Sequence, residues 1–207
     1  MSQQPDPFPA GQQAHHIYHI AFLLRQKLIP DLVSDIMEHA EIYWTTATQT
    51  GLQEDVIVRL STAPKEILRS DAITSPTRVQ HPVRKVLFTV SSHDQGWADN
   101  LDGGSWTWFT ARKITPTEAV SASVFDGSTS GQGNQEHREL YRNPVAQQRW
   151  VLHEITWRAD SDDPGEAEWV SSLKVGDIVA VNAWARFPGW VNNIKQASIV
   201  VHTMAIA

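Results

Sequence analysis

The chain has 207 residues, 17 basic and 23 acidic side chains, a formal net charge of −6 and no cysteine. Disulfides, thiolate metal sites and cysteine nucleophiles are excluded, and a net-acidic chain without a dense Lys/Arg run does not track a phosphate backbone, so no nucleic-acid partner is expected. Nine tryptophans, against three tyrosines and six phenylalanines, are the anomaly, while the length predicts one domain with a core of adequate size.

Residues 1–13, rich in Pro, Gln and Gly, are predicted to be a flexible tail, with a single domain over 14–207. The start lacks a basic region followed by an apolar stretch, so no signal peptide is expected. No run of about 18 apolar residues predicts a membrane span, and the expectation is a cytoplasmic protein without a membrane partner.

A helical element is predicted over 14–46. Leu32, Val33, Ile36, Met37, Ala40 and Tyr43 recur at helical spacing and place a helix at about 31–44, with Pro30 and Asp31 suited to its N-terminus. A shorter helical piece is predicted at about 16–28. His15 and His19 have the i,i+4 spacing that can clamp a divalent ion, but no HExxH pattern accompanies them, so a polar helix start is the reading and no metal or other cofactor is expected.

From residue 54 to 207 the pattern is that of strands. "DVIVRLS" alternates, "VRKVLFTVSS" is β-branched, and "SWTWFTARKI" follows a Gly-Gly turn. "AVSASVFD" ends in an Asp-Gly turn, and "GSTSGQGNQEHREL" (127–140) reads as a small-residue surface loop. "QRWVLHEITWR" is a further strand. "DSDDPGEAE" is an acidic turn without the ordered ligand spacing of a calcium loop. "LKVGDIVAVNAWARF" is a long strand, broken by "PGW", and "ASIVVHTMAI" is the last. Strands joined by short turns without βαβ alternation predict an antiparallel sandwich.

"SHDQGW", then "SWTWF", "SLKVGD" and "ARFPGW", resemble in order the motifs of a mostly uncharacterised fungal domain, over roughly residues 28–206. That resemblance implies a jelly-roll or galactose-binding-like sandwich preceded by a helix. The chain also resembles, more loosely, small fungal hetero-Diels–Alderases of tropolone sesquiterpenoid pathways, which are cofactor-free and β-rich.

The aromatic residues define the candidate site. Residues two apart in a strand share a face, so Trp106 and Trp108 project together. In the 178–187 strand, Val179, Val181, Ala183, Ala185 and Phe187 form a core face, and Asn182, Trp184 and Arg186 form the other. Trp157 shares a side with His153, and Trp150 with Glu154. "PGWVNN" adds Trp190, Asn192 and Asn193. In "HDQGW", His93 and Asp94 are read as bonding the turn that ends their strand, with His93 also open to a ligand.

A surface of flat apolar walls and sparse polar groups suits a small molecule. Trp97, Trp106, Trp108, Trp157, Trp184, Trp190 and Asn192 are the predicted binding set, and Arg186, His93 and Asn182 the predicted donors to a developing oxyanion. Two readings follow. One is a cofactor-free enzyme that holds an apolar polycyclic molecule for a cyclisation or cycloaddition, by positioning and hydrogen bonding. The other is a glycan- or partner-binding module whose indoles stack on sugar rings. The alternative to both, for any single tryptophan, is a place in the core. A homodimer is allowed for.

Overall fold

The computed structural model describes residues 10–52, 54–60, 63–119 and 137–206. Nine strands run in chain order: β1 (Tyr43–Thr50), β2 (Val56–Arg59), β3 (Lys65–Arg69), β4 (Val83–His93), β5 (Thr107–Ile114), β6 (His137–Arg142), β7 (Val151–Arg158), β8 (Ile178–Ala185) and β9 (Val191–Met204). Among the described residues three longer helices accompany them, α1 (Ala10–Arg25), α2 (Pro30–His39) and α3 (Pro164–Ser171), with a further helical turn at 116–119.

All strand pairs are antiparallel. One sheet has the order β1-β9-β4-β7, with β2 also on β9, and the other has the order β3-β8-β5-β6. With β2 set aside, the first and last strands pair, and successive strands pass from one sheet to the other except β5 and β6, which are neighbours in the second. This is the jelly-roll order. The predicted antiparallel β-sandwich with an N-terminal helical element is the observed fold.

The strands alternate as a two-faced sheet requires. Val86, Phe88 and Val90 of β4, with Ile199 and Val201 of β9 beside them in the same sheet, face Phe109 and Ala111 of β5 and Val179, Val181, Ala183 and Ala185 of β8, all fully buried in one core. Phe187, predicted on that core face, lies beyond the end of β8 at φ 72° and is 45% exposed, because the chain turns there rather than continuing as a strand.

Several boundaries differ from expectation. The helix predicted to reach residue 44 stops at His39, and Glu41 takes φ 53° without a glycine to announce it. The chain then enters β1, where strands were expected only from residue 54. α1 begins at Ala10, inside the predicted tail. The acidic turn holds α3: the Asp163 carboxylate accepts hydrogen bonds from the Gly165 and Glu166 amides, and Pro164 occupies the first turn. β6 spans His137–Arg142 and so takes up residues 137–140 of the expected loop. Ala119, the first residue of the strand predicted over 119–126, belongs to a helical turn at 116–119, and the rest of that strand and most of the 127–140 loop lie outside the described residues.

The helices α1 and α2 form a second apolar cluster: Ile17 and Ala21 pack with Val33, Met37, Ala205 and Ile206. That cluster sits where β9 ends. Ion pairs fasten α2 to the sheet, with Glu38 on Arg84 and Glu41 on both Lys85 and Arg158.

His202, beside Thr45 Oγ1 at 3.2 Å, has its pKa pushed down to about 4, first by burial and then by the Lys85 charge. The unfolded chain takes up that proton near pH 6.5, so between about 6.5 and 4 it binds more protons than the folded chain. Stability is therefore expected to fall on acidification through that window, by at most about 3 kcal/mol from this group. His202→Gln should flatten the dependence of the melting midpoint on pH between 7 and 4.5. An unchanged slope would remove His202 from the account.

Candidate functional site

The nine tryptophans divide by location. Trp157 and Trp169 are each 5% exposed and meet edge to face, at 4.9 Å between ring centroids. Phe88 completes that core cluster at 5.2 Å from Trp157. Trp157 was predicted in the binding set, and the structure places it inside the sandwich. Trp44 packs against Tyr18 beside the helices, and Trp150 meets His93 edge to face at 4.4 Å. Trp108 and Trp184 stack on the outer face of the β3-β8-β5-β6 sheet. Trp97, Trp106 and Trp190 surround a pocket at one end of the sandwich.

That pocket is built from two loops, residues 94–106 between β4 and β5 and residues 186–190 between β8 and β9. "HDQGW" is their joint. Asp94 is fully buried, and its carboxylate accepts three backbone hydrogen bonds: from Gly96 (2.7 Å), Ala146 (2.7 Å) and Gln147 (2.9 Å). The expected bonding of the turn by Asp94 is seen, and it extends to a third loop at 146–147. Gln95 accepts from the Val191 amide at 3.2 Å, and Asn193 donates to the Asp94 carbonyl at 3.1 Å. Both tie the first loop to the start of β9.

Gly96 has φ +85°, and a Cβ there would lie 2.1 Å from Gln148 Cγ, so no other residue fits without movement. Gly189, at φ +89°, turns the second loop so that its α-carbon faces the Trp97 ring. The Arg186 amide donates to the Trp106 carbonyl at 2.9 Å, which extends the β5–β8 pairing to the rim, and Phe187 meets Trp106 edge to face at 4.8 Å.

The pocket has a volume of about 250 Å³ and is partly open. Its walls are the indoles of Trp97, Trp106 and Trp190 with Ala98 and Pro188. Its polar side chains are those of Gln95, Asp99 and Asn100, and the backbone of Gly103, Gly104 and Gly189 completes it. No Lys, Arg or His lines it. Such a lining offers indole faces, one carboxylate and two carboxamides. It has hydrogen-bond acceptors and donors but no base–nucleophile pair and no cation for an anionic ligand.

The three predicted donors do not converge. His93 lies on the outer side of β4, with Nδ1 2.6 Å from the Asp94 carbonyl. Asn182 lies on β8, on the outer face of the opposite sheet and 2% exposed. Arg186 is exposed and holds its guanidinium 5.6 Å from the Phe187 ring. Asn192 is fully buried and braces the two sheets. Tyr141 Oη lies 2.6 Å from Ser92 Oγ, which donates to Asn143 Oδ1 at 2.7 Å. Asn143 Nδ2 donates to Thr107 Oγ1 and to Asn192 Oδ1, each at 2.9 Å, and Asn192 Nδ2 donates to the Trp184 carbonyl at 3.2 Å. Burial raises the Tyr141 pKa, so this phenol stays protonated as the network's outer donor. The network sits directly under the pocket loops and fixes the strand ends that carry them.

The Trp108–Trp184 pair is a separate surface. The two rings stack at 5.2 Å and 8° because Trp108 and Trp184 are register partners. The Arg142 guanidinium lies 4.9 Å from the Trp108 ring and pairs with Glu139. Trp184 Nε1 donates to Thr110 Oγ1 at 3.2 Å, so that indole is anchored. Trp106 and Trp108, expected to act together, thus belong to different places.

Sequence reasoning did not single out Gln95, Asp99 or Asn100 as site residues. Their only signal was proximity to Trp97 and to the Gly103-Gly104 turn. Among the described residues no group of three or more His, Asp or Glu side chains is placed to hold a metal ion, and His15 and His19 stack at 6.4 Å without a third ligand. No described helix is long and apolar enough to cross a membrane. No protein-family model, curated protein or solved structure matches this chain.

Proposed function

We propose that this chain is a binding module for a small hydroxylated ligand, a saccharide, held in the end pocket without chemical conversion. The lining carries the reading: Trp97, Trp106 and Trp190 offer flat apolar faces, and Asp99 and Asn100 supply a carboxylate and a carboxamide to read hydroxyl groups, while the Gln95 carboxamide is held by the Trp97 carbonyl and the Val191 amide. Indole faces accept the C–H face of a sugar ring, and short polar side chains set its orientation. Loops on a rigid jelly-roll end are where a sheet fold presents such groups.

The cyclisation reading needs donors that converge on an enclosed apolar cavity. Arg186, His93 and Asn182 lie apart, and the pocket is open and edged by a carboxylate, so the geometry supports binding better. A glycan array, followed by calorimetry on its hits, tests the proposal. Trp97→Ala or Trp190→Ala should weaken binding at least tenfold, about 1.4 kcal/mol or more, and Trp97→Ala should do so with an unchanged melting midpoint, since Trp97 is 56% exposed. No binding to any glycan, or a cyclised product from an apolar precursor that is lost in Arg186→Ala, would overturn it.

A further inference from the structure

The α1–α2 hairpin carries an apolar surface that no described element covers. Six of the fifteen exposed large hydrophobic side chains fall within residues 18–36: Tyr18, Phe22, Leu23, Ile29, Leu32 and Ile36. Tyr18 is 52% exposed and Phe22 62%, and being four apart they share one stripe of α1. Leu32 and Ile36, also four apart, share one stripe of α2. The inward faces of both helices are already occupied by Ile17, Ala21, Val33 and Met37. A helix that is apolar on both sides has a second neighbour to meet.

Charge indicates which neighbour. From Ala10 to Lys27 the chain has no acidic residue and carries His15, His16, His19, Arg25 and Lys27. From Pro30 to His39 it has no Lys or Arg and carries Asp31 and Asp35, with Glu38 already paired to Arg84 and one histidine, His39, at its end. Arg25 stands three residues from Phe22, and Asp35 three residues from Leu32, so each apolar stripe has charge of one sign beside it. A surface whose two halves are apolar alike and opposite in charge complements itself under a two-fold axis, with α1 of one copy against α2 of the other.

We propose that this hairpin is a homodimer interface, in which two copies join as a four-helix layer. The pocket is left free by this arrangement. The hairpin packs on Ala205 and Ile206 beyond β9, and the pocket lies beside Val191 at its start. Fourteen residues of strand at ~3.3 Å each put the two about 45 Å apart. The dimer therefore presents two outward pockets at opposite ends.

Sedimentation equilibrium of the full chain over a range of concentrations tests this, with circular dichroism melts as the check on folding. The wild-type chain is expected to sediment at twice the chain mass, and Phe22→Glu at the chain mass with an unchanged fold. Arg25→Glu alone is expected to weaken association, and Arg25→Glu with Asp35→Arg to restore it. A wild-type monomer at all concentrations, or a dimer undisturbed by Phe22→Glu, would overturn the proposal. So would a monomer that binds lipid vesicles through this face, or a charge reversal pair that fails to restore association.

Discussion

Trp157→Ala is expected to cost about 3–5 kcal/mol of folding stability, the range for removing a large buried aromatic side chain. In a chain of this size that lowers the melting midpoint by on the order of 10 °C. The reason is its position between Phe88 and Trp169, where three rings meet at the junction of β4, β7 and α3. Arg138 also lies 5.5 Å from its ring and pairs with Asp163 at the N-terminus of α3, so the cavity would loosen that helix as well. Ligand binding, measured well below the lowered midpoint, should persist. A Trp157→Ala chain that is as stable as wild type, or that folds normally and no longer binds, would place this tryptophan in a different role.

Asp94→Ala has the second large effect, and its signature is different. It leaves three backbone amides of half-buried loop residues without the fully buried carboxylate that accepts from them. Each buried unsatisfied donor costs about 1–3 kcal/mol, and relaxation of the loops recovers part of that, so a loss of roughly 3 kcal/mol is expected. Two of these bonds, from Ala146 and Gln147, join the loop carrying Trp97 to the 146–147 loop. Stability and ligand affinity should therefore fall together, in contrast to Trp157→Ala. Asp94→Asn, which keeps one acceptor oxygen, should fall between. The check is a denaturant melt paired with calorimetry on each variant. Lost stability with full affinity would show that the pocket does not depend on this joint.

The strand pattern was readable because each strand alternates over a buried face. Val179, Val181, Ala183 and Ala185 read as core from their spacing alone, and they are core. The helix-to-strand change at residues 40–43 was hidden: Glu41 takes a left-handed conformation that sequence usually marks with glycine or asparagine. α3 carried its signal, an Asp163-Pro164 start, but the surrounding acidic residues suggested a solvated turn. The site was half legible. Trp97, Trp106 and Trp190 were in the predicted set, and they meet because Gln95 and Asn193 tie loops almost a hundred residues apart in sequence. Nothing local in the chain encodes such a pairing. Asn192 and Asn182 illustrate the reverse case. Each is a polar residue in a strand, which looks like a ligand contact until burial shows the first to be a brace between sheets and the second to lie on a separate face.

The proposed function requires the tryptophans at the loop end of the sandwich, and not the stacked pair, to bind. Calorimetric titration of one array-identified saccharide into the wild-type chain, Trp97→Ala and Trp108→Ala separates the two. Trp97→Ala should lose the binding signal, and Trp108→Ala should keep the wild-type affinity. Binding that survives Trp97→Ala and disappears in Trp108→Ala would contradict the claim and move the site to the stacked pair on the outer sheet face.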